Sequence, residues 1–470
     1  MSSKDLLSEN QKNPIHEYGK WIATYPNSWK EETIQSALLQ FVDLIAVLIP
    51  GSQEPVTKDV IKTVESWGSG SSTLICNKKS LSPPWAALVN GTAAHALDFD
   101  DNFDPAKAHA SAVLVPAILA VAEEYELGGM QCIDAYICGL QIMGKVGQGL
   151  NPYHRNRGWH ATATVGAIGA TAACTRLLKL NSEQSTFALS ISTSLASGFM
   201  SQFGTKMKPI HAGLAAKSGT LAASLAKNNI TAGLDTFDGV NGLNHLMIGQ
   251  DYKILKESIS TPEHGQTLSF STHCIEDPLH IDFYGFRVKR FPNCGSAHRA
   301  MDIMLSLKNK FNLTPEKVKK ITVEAPISHL NNLMYHNPEN SMQAKFSMQF
   351  ALSCILYLGR CGLDEFQESQ ISSPDLKSIY NKIELIGLNK SELEIPTKLT
   401  LTLDNGKKIE EKTFFPLGSK NHPFSTSEYW EKFEKCSKKY LKDSNYKNLR
   451  NKLEKFNKLE AITSLMDEMK

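Results

Sequence analysis

Apolar positions recur with a helical period over the first half of the chain and change character near residue 282. Between 35 and 48, Leu38, Leu39, Val42, Leu44, Ile45 and Leu48 form the stripe of an amphipathic helix. Residues 161–180 (ATATVGAIGATAACTRLLKL) are small or apolar nearly all round, which predicts a helix buried on most sides with close neighbours. Asn181, with Gln184 three residues on, predicts the cap of a further helix running to Met200. Residues 210–227 (IHAGLAAKSGTLAASLAK) predict another small-residue helix. Past 282, residues 284–291 are strand-like, 296–311 helical, 319–325 a strand, 345–358 a helix and 382–388 a strand. Segments 398–403 and 408–415 flank Asp404-Asn405-Gly406, a hairpin signal because the turn positions tolerate positive φ. Beyond 425 a charged amphipathic helix returns. The prediction is a mainly α fold: a helical domain (1–279), an inserted α+β domain (280–421), and C-terminal helices (422–470) that rejoin the first part.

Charge narrows the partners. Lys and Arg total 50 against 48 Asp and Glu, so the net charge of +2 argues against a nucleic-acid partner, which needs a basic excess. A small acidic substrate needs only a local basic cluster. The nine cysteines are scattered without a CxxC pair, so neither a disulfide framework nor a zinc or iron–sulfur motif is readable, and no metal or other cofactor is expected. Residues 1–17 are polar and mixed in charge, unlike a secretory signal. The apolar runs at 41–50 and 110–122 fall short of the roughly 20 residues of a membrane helix. The expectation is a soluble cytoplasmic protein with no membrane partner.

Four clusters could carry chemistry. His95-Ala-Leu-Asp98-Phe-Asp100-Asp101-Asn102-Phe-Asp104, followed by His109, gathers carboxylates that need cations, donors or water beside them. It also spells DDxxD, a magnesium–diphosphate motif, but no second acidic motif accompanies it in the helical half. The plain alternative is a solvated acidic loop. Tyr153-His154-Arg155-Asn156-Arg157-Gly158-Trp159-His160 is a cationic, aromatic loop opening a helix, suited to a carboxylate. In Gly204–Gly213 (GTKMKPIHAG), Lys208 and His211 share a helical turn, and a lysine entering a buried helix must be paired or face a cavity. Lys289 precedes a Pro-bounded turn in KRFPNC, at 289–294. Tyr335 stands in an aromatic loop, where packing is the commoner role.

HALDFDD at 95–101 with His109, GWH at 158–160, GTKMKPIHAG, KRFPNC and AKFSMQF at 344–350 together resemble the blocks of the MmgE/PrpD family, in the family's order. Its members include 2-methylcitrate dehydratase, cis-aconitate decarboxylase and iminodisuccinate epimerase. The resemblance implies a helical domain with an α+β lid domain, a homodimer, a metal-independent reaction, and a small di- or tricarboxylate substrate bound between the domains. It implies Asp98, His109, His160, Lys208 and Tyr335 as catalytic positions, with His211 and Lys289 beside the substrate; the cationic loop adds Tyr153 and Arg157 as candidate substrate-binding residues, and Asn102 and Cys294 complete that set. Two positions depart from some members: Asn102 replaces a threonine, and Cys294 replaces the histidine of animal cis-aconitate decarboxylase. The resemblance therefore points to a dehydratase-type lyase, with an epimerase of an amino- or imino-dicarboxylate as the alternative and a non-catalytic carboxylate binder as the third possibility.

Overall fold

Helices built of small residues gain stability only when a neighbour comes close enough to cover them, and that requirement organises the first half of the chain. The computed structural model describes residues 13–259 and 262–470. Residues 1–12, most of the stretch read as unlike a secretory signal, lie outside the described residues. The elements that frame the site are α1 (Glu31–Gly51), α2 (Pro83–Ala96), α3 (Ser111–Glu124), α4 (Gly129–Leu150), α5 (Ala161–Leu177), α6 (Ser182–Thr193) and α7 (Met207–Lys227). The later part adds α8 (His298–Phe311), β1 (Val318–Pro326), α9 (Met348–Leu358), β2 (Ile383–Leu388), β3 (Thr397–Leu403), β4 (Lys408–Thr413) and α10 (Thr426–Ser437).

Glycines set the closest approaches. A Cβ on Gly91 of α2 would lie 2.8 Å from the Cα of Gly213 on α7, so the two backbones touch there. Gly219 of α7 meets α5 at Ala170 in the same way. The stripe predicted at 35–48 is the centre of α1, which is buried from Ala37 to Gly51 save for Leu39. By length and composition α1 could cross a membrane, which corrects the reading that every apolar stretch is too short. Its most apolar window is instead 78% buried inside the protein, and its Asp43 pairs with Lys432 of α10 at 2.8 Å.

The fold is mainly α, with a four-stranded mixed sheet in the order β2-β1-β3-β4 and a short antiparallel ribbon pairing Ser72–Thr73 with Ser80–Leu81. Strand β1 runs parallel to β2 (Ile321 opposite Ile383) and antiparallel to β3 (Val323 opposite Leu399), and β3 pairs antiparallel with β4. The hairpin closes where Asp404-Asn405-Gly406 predicts it, with Gly406 at φ 83. One hydrophobic cluster collects residues from Ile15 to Val288 and again from Tyr429 to Met469, so α10 and the chain's last helices pack on the early ones. A second cluster gathers side chains from Phe291 to Leu401 around the sheet, α8 and α9. Two expectations fail locally. Residues 284–291 form no strand; Arg287 makes only an isolated bridge with Asn102, because what faces it is a loop with no further register to offer. The capping box of Asn181 and Gln184 is present, but α6 stops at Thr193, seven residues before Met200, and the following chain contains Gly198 at φ 156.

Candidate active site

Helix α2 ends at Ala96 and the chain turns sharply, with Asp98 in the left-handed region at φ 51. Aspartate tolerates that conformation better than most residues. The turn buries the carboxylate between two ammonium groups. Lys289 Nζ donates to both Asp98 Oδ1 and the Asp98 carbonyl, the latter at 2.8 Å. Lys208 Nζ stands 3.2 Å from Oδ2. Lys208 comes from the first turn of α7, where the missing N–H of Pro209 costs no helical bond. Its ammonium also lies 5.6 and 5.2 Å from the ring centres of Phe203 and Phe346. Burial would raise the Asp98 pKa, but Lys208 and Lys289 hold it well below the usual carboxylate range. Burial would strip the proton from Lys289, yet Asp98 and Asp100 raise its pKa above the ordinary lysine value.

A second chain of contacts starts at the same lysine. Lys208 Nζ is 3.0 Å from His95 Nε2, and His95 Nδ1 is 2.9 Å from Asp100 Oδ1. The ammonium can only donate and the carboxylate only accept, so His95 carries its proton on Nδ1. Burial pushes the His95 pKa down to about 3, against the pull of Asp100. Asp100 Oδ2 reaches His109 Nδ1 at 3.0 Å, and the Asp101 carbonyl faces the same nitrogen at 2.8 Å. Both are acceptors, so His109 also holds its proton on Nδ1, leaving Nε2 with a free lone pair. Burial lowers the His109 pKa, with Asp100 opposing. His109 is 15% exposed and lines the cavity.

His160 stands at the N-cap position of α5, is 4% exposed, and its ring centre lies 6.4 Å from that of His95. Its Nδ1 lies 3.0 Å from Nδ1 of His211, one turn into α7. Burial, and then Lys208, hold the His160 pKa well below the ordinary histidine value. The two rings therefore form a neutral pair in which one nitrogen donates to the other.

These groups face a cavity of about 550 Å³. Its wall includes Asp98, Asn102, His109, His160, Lys208, Lys289 and Cys294, so seven of the sequence-predicted residues meet there although they span nearly 200 positions. Four others do not line it. His211 stands behind His160. Arg157 points outward, half-exposed, toward Asp251 at 3.7 Å. Tyr153 approaches Ser258, 3.4 Å from its hydroxyl oxygen. Tyr335 lies against Gly204 and is half-buried. The arginine that reaches the cavity from the 153–160 loop is Arg155. Residues two apart on a helical turn do not share a face, so only one of the two arginines could point inward. Sequence reasoning singled out Arg157 and not Arg155 from that carboxylate-suited loop, gave no role to Arg287 or Glu392, and left His95 inside a motif without a function.

The DDxxD carboxylates diverge. Asp100 serves two histidines, Asp101 accepts from Ser111, and Asp104 pairs with Arg287. Atoms of His95, Asp98, Asp100 and His109 do lie within 4.8 Å of one another, close enough to hold a cation. Two of those groups are already engaged by the ammonium groups of Lys208 and Lys289, which an incoming ion would have to displace. Positive charge at this point is thus supplied by the chain itself.

The chain is 27% identical to cis-aconitate decarboxylase of Homo sapiens over 382 residues, covering 77% of this chain and 74% of that protein. It is 24% identical to cis-aconitate decarboxylase of Mus musculus over 459 residues, covering 93% and 89%. It is 22% identical to the cis-aconitate decarboxylase-like protein oryM of Aspergillus oryzae, covering 93% of each. Residues 17–255 match the MmgE/PrpD N-terminal domain and residues 291–456 match the MmgE/PrpD C-terminal domain. Asp98, His109, His160 and Lys208 lie in the first match and Cys294 in the second, and with both present in order the chain belongs to the MmgE/PrpD family.

Proposed function

We propose that this protein is a lyase of the 2-methylcitrate dehydratase type, removing water from a small di- or tricarboxylate after proton abstraction beside a carboxylate. The observation that carries the reading is the fixed tautomer of His109: Asp100 and the Asp101 carbonyl hold its proton on Nδ1 and leave Nε2 basic on the cavity wall. A ring whose pKa is lowered by burial stays unprotonated through neutral pH. His109 Nε2 takes the proton from carbon, and the electron pair passes to the adjacent carboxylate as an enediolate. Lys208 and Lys289 supply donors for that added charge. When the enediolate collapses to an alkene, the C–O bond breaks and the hydroxide leaves as water, taking the proton that His109 Nε2 has just gained. Asp98 holds both lysine side chains in place.

The names of the curated relatives favour a second reading, decarboxylation. There the C–C bond to a carboxylate breaks, carbon dioxide leaves, and the carbanion takes a proton. Such a step begins without a proton abstraction and leaves the basic Nε2 of His109 unused, which is why water loss is placed ahead. Incubation with citrate-like acids and aspartate-derived diacids in deuterated water, followed by mass spectrometry, separates the outcomes. Loss of water is expected. Loss of carbon dioxide selects the second reading. Deuterium uptake without loss of mass means an epimerase and overturns both.

A further inference from the structure

The cationic groups of the cavity are not equally matched. Lys208 and Lys289 share Asp98. Arg287 is paired with Asp104 and with Glu392, the latter at 3.0 Å, and Arg299 stands 3.5 Å from the same Glu392. Arg155 differs from these four and from Lys107, which stands 3.8 Å from Glu263; only the exposed Lys390 on the same wall shares its lack of an ion pair among the described residues. The Arg155 side chain donates through Nη2 to the amide oxygen of Asn332 at 3.0 Å, and no ion pair joins it to a carboxylate among the described residues. Asn332 is itself held, donating to Ser296 Oγ at 3.0 Å. Arg155, Asn332 and Ser296 all line the cavity, on the wall where the 153–156 turn meets the 327–332 helix.

A guanidinium has five N–H donors and remains charged at any working pH. One neutral acceptor leaves most of that fork unused. Burial works against the charged form of Arg155, with Cys294 and Glu392 only partly opposing it through space. A part-buried cation without a counter-charge is an unfavourable arrangement unless a ligand completes it. The planar fork fits a carboxylate, and its neighbours Asn332 and Ser296 can neither neutralise nor repel one.

We infer that Arg155, oriented by Asn332, is a specificity-determining residue that binds a substrate carboxylate distinct from the one activated beside Lys208 and Lys289. The inference rests on the polycarboxylate reading and extends it: the favoured substrates carry one carboxylate more than the chemistry consumes. Arg155 takes no part in proton transfer.

Calorimetric binding of tricarballylate and of methylsuccinate, which lacks one terminal carboxylate, tests this without knowledge of the true substrate. The wild-type protein should bind tricarballylate about 10- to 100-fold more tightly than methylsuccinate. In Arg155→Met that ratio should collapse toward one while methylsuccinate affinity stays within about twofold. Arg155→Lys should restore part of the ratio, since the charge returns without the fork. Asn332→Ala should weaken tricarballylate selectively, by loosening the fork. A folding defect would weaken both ligands together, and circular dichroism with a thermal melt identifies it. Should Arg155→Met fail to fold, the Asn332→Ala and Arg155→Lys ratios decide. A wild-type ratio that survives in the folded variants overturns the Arg155 assignment alone. A wild-type protein that binds neither acid overturns the polycarboxylate reading beneath it.

Discussion

Lys208 is where the site's charges converge, since it touches both Asp98 and His95. Lys208→Met keeps the aliphatic stem between Phe203 and Phe346 but removes the ammonium. Turnover should fall about 100-fold or more, the cost of losing an oxyanion donor. Melting should shift by only a few degrees because Lys289 still neutralises Asp98. Near-normal turnover in steady-state assays would remove Lys208 from the chemistry. Asp101 gives a different test. Burial, with Asp100 and Asp43 adding repulsion, pushes its pKa from 3.8 up to about 7. Between those values the folded state binds the proton and the unfolded chain does not, so Asp101 lowers stability as pH rises from about 4 to 7. Asp101→Asn should therefore gain on the wild type by about 1–4 kcal/mol in urea melts at pH 8 compared with pH 4. An equal difference at both pH values would contradict a protonated Asp101. Most of these groups were legible in the sequence because each breaks a local rule: a lysine entering an apolar helix, or carboxylates crowded beside histidines. Arg155 and Arg157 are chemically identical in the sequence, and only the turn's rotation separates them. His95 was hidden for another reason. Its partner Lys208 lies 113 positions away, and no spacing rule spans that distance.

At the level of elements, the site depends on how closely α2 and α7 cross. Lys208 and His211 ride on α7, and His95 on α2. In an isolated helix, Gly213→Ala would stabilise by about 1 kcal/mol. Here the new Cβ would run into the Leu88 carbonyl and sit 3.0 Å from the Thr92 nitrogen. Backbone cannot yield as a flexible side chain does, so overpacking of about 1–3 kcal/mol should outweigh the propensity gain. We expect a lowered melting temperature and reduced turnover together; a more stable, fully active Gly213→Ala protein would show that the helices can part without harm. The helical texture was readable because small-residue periodicity is a local property. The start of α7 needed a second signal: the small-residue pattern begins at Ile210, and Pro209 with the turn shared by Lys208 and His211 carries the helix back toward Met207, where it begins. The strand expected at 284–291 fails because alternation describes one chain, while a strand needs a partner of equal length.

For the molecule as a whole, the lysine-supplied charge predicts that turnover survives exhaustive chelation. Loss with EDTA, restored by magnesium, would show that a cation displaces Lys208 or Lys289 at the His95–His109 cluster. Assembly is a separate matter. Val240, Leu246 and Ile254 are 72%, 69% and 72% exposed along one short stretch, apolar surface that a partner could cover. The family resemblance adds a homodimer, so light scattering should return twice the 52.0 kDa chain mass. A monomer at micromolar concentration would exclude it.

Asp98 takes its two cations from opposite sides of residue 280, and this matters for how the protein is made. On a ribosome, Asp98 and Lys208 emerge well before Lys289. A nascent chain folded through α7 would hold the carboxylate against one lysine only, with its second oxygen waiting. The second cation of Asp98 comes with the KRFPNC segment, which follows His95, His109, His160 and His211 in the chain. A chain stopped before residue 289 would lack that second cation and also Tyr429–Met469, which complete the first hydrophobic cluster. Competence for the reaction would mature late, with translation itself as the timer.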